Sequence, residues 1–220
     1  MSNMYDWIDK TLNPLCGKCL YECKYCYVKD MKKKFSVIYK KYSGDIRLSN
    51  DFFRKSLGKN KTYFIGSMID MFAENIPDKF IDKVINYCDQ YNNTYLFQSK
   101  NPERFNGFYF PDNTILGTTI ETDIYYSISK APDVIERARK LSRVHNHNTM
   151  VTIEPILEFN LKTMVDLIKI AMPDFVNIGA DSKGHGLPEP SIEKVMALIK
   201  ELNKFTEVRE KRNLNRLINN

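Results

Sequence analysis

Short apolar runs alternate with longer amphipathic stretches along most of this chain. The short runs are rich in β-branched and aromatic residues, which favours strands, whereas apolar residues three and four apart in the longer stretches favour helices. Strands are predicted at residues 11–15, 62–69, 94–99, 114–120, 150–156 and 175–179. Helices are predicted at residues 77–91, 101–105, 131–144, 161–172 and 191–205.

This alternation predicts an α/β fold with a parallel sheet and right-handed crossovers. Six strand–helix units are too few for a closed eight-stranded barrel, so we expect an open, partial (β/α)6 barrel in a single domain over residues 1–220. Residues 34–61 interrupt the alternation and are predicted to form an insertion with one or two helices, one at residues 50–57. Residues 207–220 are predicted to form a polar C-terminal helix. In parallel folds the reactive groups lie at the carboxyl ends of the strands.

Composition places the chain among ordinary globular proteins. Of its 220 residues, 43% are hydrophobic and 27% are charged, and this length suits one well-buried domain. No apolar run approaches the roughly 18–20 residues of a membrane span, and residues 1–10 lack the apolar core of a secretory signal. We therefore expect a cytoplasmic protein without membrane contact, and take a monomer as the simplest assembly.

The formal net charge is +6, and basic residues cluster at 32–34, 40–41 and 209–216. A solvated basic surface accounts for such clusters, and so does a nucleic acid or other polyanionic substrate. Charge alone does not decide between these interpretations.

Four of the five cysteines lie within eleven residues, at Cys16, Cys19, Cys23 and Cys26. An odd number of cysteines in a reducing compartment favours metal or redox chemistry over disulfides. Cys19, Cys23 and Cys26 can hold three irons of a cubane cluster and leave the fourth iron open to a small molecule. One alternative is a structural zinc site on all four thiolates; another is a cluster held by Cys16, Cys23 and Cys26.

The segment from Cys19 to Tyr27 resembles the cysteine signature of the radical S-adenosylmethionine (SAM) superfamily, in which an aromatic residue precedes the last cysteine. The resemblance implies a [4Fe–4S] cluster on Cys19, Cys23 and Cys26, and the partial barrel typical of that superfamily. Other short motifs resemble an uncharacterised, phage-associated family with a three-cysteine motif; they begin at Gly66, Gln98, Gly117, Ile153 and Gly179. More distantly, the cysteine loop and Lys100 are similar to the spore photoproduct lyase branch.

The same resemblance implies which strand-end residues would contact SAM. They are Tyr25 beside the adenine, Ser67 for the amino group, Asp70 in the same pocket, Lys100 for the carboxylate, and Thr119 and Glu121 for the ribose hydroxyls. These residues could also have roles that do not involve SAM. Ser67 and Asp70 are common in turns and helix caps, Lys100 could lie on a solvated surface, and Tyr25 could belong to the core.

Three further residues are candidates for the substrate pocket. Glu154 stands within an apolar strand, and a buried carboxylate is costly unless it is paired. Asp181 and His185 follow the sixth strand in a loop bounded by Gly179 and Gly186, which is either a substrate lid or a plain connection. We predict Glu154, Asp181 and His185 as catalytic residues.

Together these features predict a radical SAM enzyme. A flavodoxin or ferredoxin-type reductant would supply one electron, SAM would be cleaved reductively, and a 5′-deoxyadenosyl radical would abstract hydrogen from a substrate. The basic charge and the similarity to a lyase that acts on DNA favour a nucleotide or nucleic-acid substrate. The alternative function is a zinc-stabilised basic module that binds nucleic acid.

Overall fold

The computed structural model describes residues 4–218, and its centre is a seven-stranded parallel sheet. The strands of this sheet are β1 Lys10–Leu12, β4 Thr62–Ile65, β5 Thr94–Gln98, β6 Thr114–Thr119, β7 Asn148–Ile153, β8 Phe175–Ile178 and β9 Glu207–Glu210. Their order is β1-β4-β5-β6-β7-β8-β9, and every neighbouring pair is parallel. A separate antiparallel pair joins β2 Leu15–Cys16 to β3 Arg47–Leu48.

Helices connect most of these strands. The α-helices are α1 Tyr27–Lys34, α2 Ser36–Lys41, α3 Asp78–Asp89, α4 Val134–Leu141, α5 Leu161–Ala171, α6 Ile192–Leu202 and α7 Asn215–Ile218, and the 3-10 helices are Pro102–Gly107 and Arg212–Leu214. Two helices begin with side-chain caps: the Asp133 carboxylate accepts from Ile135 N at 2.9 Å, and the Ser191 hydroxyl accepts from Lys194 N at 3.4 Å. These caps satisfy backbone donors that a helix start leaves free.

The two faces of the sheet are buried in different ways. Alternate strand residues such as Ile65, Phe97 and Ile153 pack with the helices in the larger core, as the two-residue period of a strand requires. The opposite face carries Phe64, Leu96, Met150 and Phe175, which are covered by Tyr5 and Ile8 from the N-terminal segment. Within residues 4–218, no helix is both long and apolar enough to cross a bilayer.

The predicted α/β class is confirmed, and the sheet has one strand more than the sequence indicated. The C-terminal helix predicted over residues 207–220 is wrong for its first part, because Glu207–Glu210 forms β9 beside β8. The open edge of β8 offers backbone partners to this segment, and Arg209 lies over the Phe175 ring at 3.7 Å. Only the four residues of α7 are α-helical there, and residues 219–220 lie outside the described part of the chain.

The insertion at residues 34–61 also differs from its prediction. Its helix is α2, whereas the helix predicted at residues 50–57 is wrong: residues 50–54 form turns. Phe52 and Phe53 anchor these turns by packing their rings against each other and against Tyr87 of α3. The predicted first strand, residues 11–15, is divided into β1 and β2.

Candidate active site

The cysteine loop lies between β2 and α1 and is fixed to the segment that follows β6. Lys24 N donates to Ile128 O at 2.8 Å, and Lys130 N donates to Tyr21 O at 2.8 Å. Glu22 adopts a left-handed conformation with φ 47° and pairs with the side chains of Lys18 and Lys130. These contacts place the loop beside the carboxyl ends of the central strands.

The three spaced thiols are half-buried against the core. Burial and the neighbouring Asp70 carboxylate raise the pKa of Cys19 to about 11, although backbone N–H groups of Asp70 and Tyr21 favour its thiolate. Burial also raises the pKa of Cys23, partly opposed by the Lys100 cation. Cys19 therefore lies near Asp70 in the loop after β4, and Cys23 lies near Lys100 and Glu121, which follow β5 and β6.

Cys16 stands apart from these three thiols. It lies in β2, paired with Arg47 of β3, and is buried. Among residues 4–218, no three Cys, His, Asp or Glu side chains converge closely enough to hold a single metal ion. Cys16 lies in a strand, outside the loop that carries the other three cysteines.

A buried charged cluster lies next to Cys23. The Glu121 side chain is fully buried, and its Oε1 accepts from both the Lys100 ammonium and the Tyr25 hydroxyl. Lys100 also lies 5.2 Å from the centre of the Tyr25 ring. Three residues predicted separately as SAM contacts are thus in direct contact with one another.

Arg137 completes this cluster and was not among the predicted residues. From α4 it donates to Glu121 Oε2 and to Thr119 O, each at 2.9 Å. Burial alone would raise the pKa of Glu121, but Lys100 and Arg137 outweigh it and lower that pKa to about 2. The signal in the sequence was an arginine on the apolar face of α4, which it shares with Ala138 and Leu141.

The other predicted SAM contacts surround this cluster. Asp70 accepts from Ser99 Oγ at 2.6 Å and from Lys100 N at 2.7 Å, so it fixes the backbone that carries Lys100. Burial raises the pKa of Asp70, against the effect of these hydrogen bonds. Thr119 Oγ1 accepts from Gln98 Nε2 at 3.0 Å. Thr119 and Asp70 thus support the cluster from β6 and from the loop after β4.

Ser67 is held on the β4 side of the site. Its Oγ accepts from the Tyr27 hydroxyl at 3.0 Å and donates to Asn13 Oδ1 at 3.3 Å. Gly66 precedes it with φ 88°, a conformation that favours glycine. Tyr27 directly follows Cys26, so this contact joins the cysteine loop to the end of β4.

Glu154 follows β7 and lies in a second polar cluster. It pairs with Lys211 and accepts from Asn213 Nδ2 at 2.8 Å. Asn213 also donates to Ala180 O at 2.8 Å and to Ser182 Oγ at 2.7 Å. Lys211 and Asn213 were missed because the sequence predicted a surface helix for their segment.

Asp181 and His185 hold the loop after β8 against α1. His185 Nδ1 lies 2.7 Å from Asp181 Oδ1, and its Nε2 lies 3.2 Å from Asp30 Oδ2. Burial alone would raise the pKa of Asp181, but hydrogen bonds from His185 and Lys183 lower it. Asp30 was not predicted. Because both imidazole nitrogens have carboxylate partners, His185 links this loop to the helix that follows the cysteines.

These side chains suit an iron–sulfur cluster and a small zwitterionic cofactor. Three soft thiols from one short loop, with backbone N–H groups directed at Cys19, suit a cluster with one open iron. The buried cation of Lys100 suits a carboxylate, and the acceptor oxygens of Glu121 suit hydroxyl groups.

Comparison with solved structures defines the fold. A cysteine-to-serine mutant of spore photoproduct lyase aligns with TM-score 0.62 and 12% identity, over 91% of this chain and 76% of the other. A tyrosine-to-phenylalanine mutant of the same lyase gives 0.61 and 12%, over 89% and 74%. A further mutant, with bound AdoMet and dinucleoside spore photoproduct, gives 0.54 and 13%, over 89% and 61%. The predicted open, partial barrel is confirmed.

The chain belongs to the family described as protein of unknown function DUF5131, whose model matches residues 2–189. No curated protein matches it. The family assignment covers the cysteine loop and both polar clusters except for Lys211 and Asn213. The family description names no activity, so the chemistry must be inferred from the site.

Proposed function

We propose that this protein is a radical SAM enzyme whose cluster is held by Cys19, Cys23 and Cys26. The observation that carries the proposal is the contact of the Cys23 loop with the buried Tyr25–Lys100–Glu121–Arg137 cluster at the carboxyl edge. This edge is where parallel α/β folds gather their reactive groups. The spore photoproduct lyase fold, solved in one case with AdoMet, supports the same assignment.

A [4Fe–4S] cluster with SAM bound there would supply, on one-electron reduction, a 5′-deoxyadenosyl radical that abstracts hydrogen from a substrate. Lys100 would then pair with the SAM carboxylate, and Glu121 would accept from the ribose hydroxyls. These interactions would replace the contacts that Lys100 and Tyr25 make with Glu121 in this structure. Arg137 would keep Glu121 ionised, because it donates to Oε2, whereas Lys100 and Tyr25 contact Oε1.

Glu154, Asp181 and His185 are proposed to face the substrate. Glu154 is held by Lys211 and Asn213, and Asp181 orients His185 through Nδ1. A flavodoxin or ferredoxin-type protein is the proposed reductant. A nucleotide or nucleic acid is the proposed class of substrate, supported by the dinucleoside bound in a related fold and by the net charge of +6.

Anaerobic reconstitution tests this function. We expect about four irons per chain and the brown colour of a cluster, and we expect 5′-deoxyadenosine and methionine when dithionite and SAM are added. Alanine variants of Cys19, Cys23 or Cys26 should lose iron and product together. Cys16→Ala is the matched control, because Cys16 lies outside the loop, and it should retain both.

Two results would contradict the proposal. One is a colourless protein that holds one zinc per chain, which would favour the zinc module. The other is an intact four-iron cluster that forms no 5′-deoxyadenosine. SAM affinity gives an independent measurement: Lys100→Met should weaken it about tenfold or more, since a charge-assisted contact with the carboxylate is lost.

A further inference from the structure

One segment carries the whole net charge of this protein. Residues 24–48 contain eight Lys or Arg and two Asp, a net charge of +6, and the complete chain also has a net charge of +6. The other residues balance, with 25 basic and 25 acidic side chains. We call residues 24–48 the basic segment; it contains α1, α2 and β3.

Most cations of the basic segment have no carboxylate partner. Within residues 4–218, no acidic side chain forms an ion pair with Lys34, Lys40, Lys41 or Arg47. The Arg47 guanidinium donates to backbone carbonyls instead. Positive charge gathered without compensation attracts a polyanion.

Exposed aromatic rings lie among these cations. Phe35 is 52% exposed and Tyr39 is 58% exposed, at the turn between α1 and α2 and within α2. The Lys32 ammonium lies 5.2 Å from the centre of the Tyr39 ring. Lysines interleaved with exposed rings are the arrangement that binds phosphates and stacks unpaired bases.

A surface cavity of about 390 Å³ lies along the same segment. Its lining includes three cations, two polar residues, one carboxylate and two apolar residues: Lys40, Lys41, Arg47, Ser49, Asn50, Asp51, Val37 and Leu48. A cavity with this lining can accept phosphate groups from an extended strand. The helix α1 begins directly after Cys26, so the basic segment runs from this cavity to the cysteine loop.

We propose that the basic segment binds single-stranded nucleic acid and directs it to the carboxyl edge of the sheet. The phosphates contact Lys34, Lys40 and Lys41, and the bases stack on Phe35 and Tyr39. A membrane fits less well, because α2 has only six residues and four of the nine residues that line the cavity are charged. The inference rests on the proposed function only for the fate of the bound strand, since binding itself needs neither cluster nor SAM.

Fluorescence anisotropy with the reconstituted 220-residue chain tests the proposal, using labelled 20-nucleotide dT and rU strands from 50 to 200 mM KCl. The triple variant Lys34→Gln, Lys40→Gln, Lys41→Gln should bind about tenfold more weakly, and the salt slope should fall by about 2. The matched control replaces Lys59, Lys61 and Lys200, which are exposed elsewhere, and should change affinity less than about twofold. Tyr39→Ala should cost about fivefold or more and Tyr39→Phe almost nothing, because the ring stacks and its hydroxyl does not.

Equal losses in the two lysine triples would overturn the proposal. So would binding to phosphatidylserine vesicles together with no binding to either oligonucleotide. Binding to either strand supports it, and the stronger strand identifies the preferred sugar. SAM cleavage without oligonucleotide binding would reject this surface alone, whereas oligonucleotide binding without 5′-deoxyadenosine would reject the enzymatic function alone.

Discussion

Glu121 and Glu154 end neighbouring parallel strands, yet their surroundings differ. The Glu121 side chain has no exposure and is held by Lys100, Tyr25 and Arg137. The Glu154 side chain is 15% exposed and is held by Lys211, which is equally exposed, and by Asn213. The Glu121 carboxylate is enclosed by the fold, whereas the Glu154 carboxylate is bound by the C-terminal segment near the surface.

This difference in burial predicts how each cluster responds to the substitution of one of its residues. The Glu121 side chain is fully buried and Arg137 is only 4% exposed, so removal of a partner leaves a buried charge without compensation. Lys211 can turn towards solvent if Glu154 is lost. The Glu121 cluster is therefore suited to fixed cofactor contacts, and the Glu154 cluster is suited to a surface that adjusts to a substrate.

Replacement of Arg137 should have the largest effect. Arg137→Met removes a buried partner of Glu121 and two donors to backbone carbonyls, which should cost about 3–5 kcal/mol of unfolding free energy. Urea unfolding of the metal-free chain measures this loss. Arg139→Met, on the same helix but 57% exposed, should cost less than about 0.5 kcal/mol. Similar losses in the two variants would contradict the contrast between buried and exposed charges.

The second prediction concerns the loss of unfolding free energy at acid pH, which depends on Glu121. Its pKa is lowered from 4.5 to about 2 in the fold, so its ionic contribution is complete above pH 4.5 and disappears as the pH falls towards 2. This contribution is about 3 kcal/mol or less. Unfolding free energies of the parent and Glu121→Gln between pH 5 and 2 should therefore converge. Parallel pH profiles would show that Glu121 keeps an ordinary pKa.

The sequence predicted the side chains of these clusters better than their partners. Tyr25, Lys100 and Glu121 were predicted as SAM contacts from the resemblance, and Glu154 was predicted as a substrate residue because it lies within an apolar strand; these roles stay predictions. The contact of Lys100 with Glu121 cannot be predicted from the sequence around either residue, since it depends on the pairing of β5 with β6. Arg137 lay within a correctly predicted helix, and only its position on the apolar face distinguished it.

The Glu154 cluster was harder to predict because its partners Lys211 and Asn213 lie in the segment after β9. Residues 207–218 are mostly polar. Without its tertiary contacts, this segment is predicted to be a helix. The edge of β8 and the ring of Phe175 instead select a strand. Tertiary contacts of this kind override local propensity, and they bring Lys211 to Glu154.

Gly179→Ala should disturb the Glu154 cluster without removing any of its polar groups. A Cβ at Gly179 would lie 2.8 Å from Asn213 Oδ1 and 3.0 Å from Glu154 Oε1. The displaced side chains should cost about 2 kcal/mol. Gly107→Ala is the control, because nothing lies within 4 Å of its Cβ, and it should be nearly neutral. A neutral Gly179→Ala variant would mean that Asn213 moves freely.

Glu154→Gln should cost about 1–2 kcal/mol, because Lys211 loses its charged partner while the Asn213 contact persists. The same substitution at Glu121 should cost at least twice as much, because two buried cations lose their partner. Thermal unfolding of both variants compares the clusters directly. Equal losses of stability in the two variants would contradict the difference between the buried Glu121 cluster and the partly exposed Glu154 cluster.

Tyr5 joins the two clusters and should show the smallest effect. Its hydroxyl donates to Gln98 Oε1 at 2.7 Å, Gln98 donates to Thr119, and its ring lies 4.7 Å from Lys211 Nζ. Tyr5→Phe keeps the ring contact but leaves Gln98 Oε1 without its donor, which should cost about 1 kcal/mol. Tyr109→Phe, at a side chain that is 98% exposed, should leave unfolding unchanged. If Tyr5→Phe is equally neutral, the connection between the clusters depends on the ring alone, and the hydroxyl does not couple them.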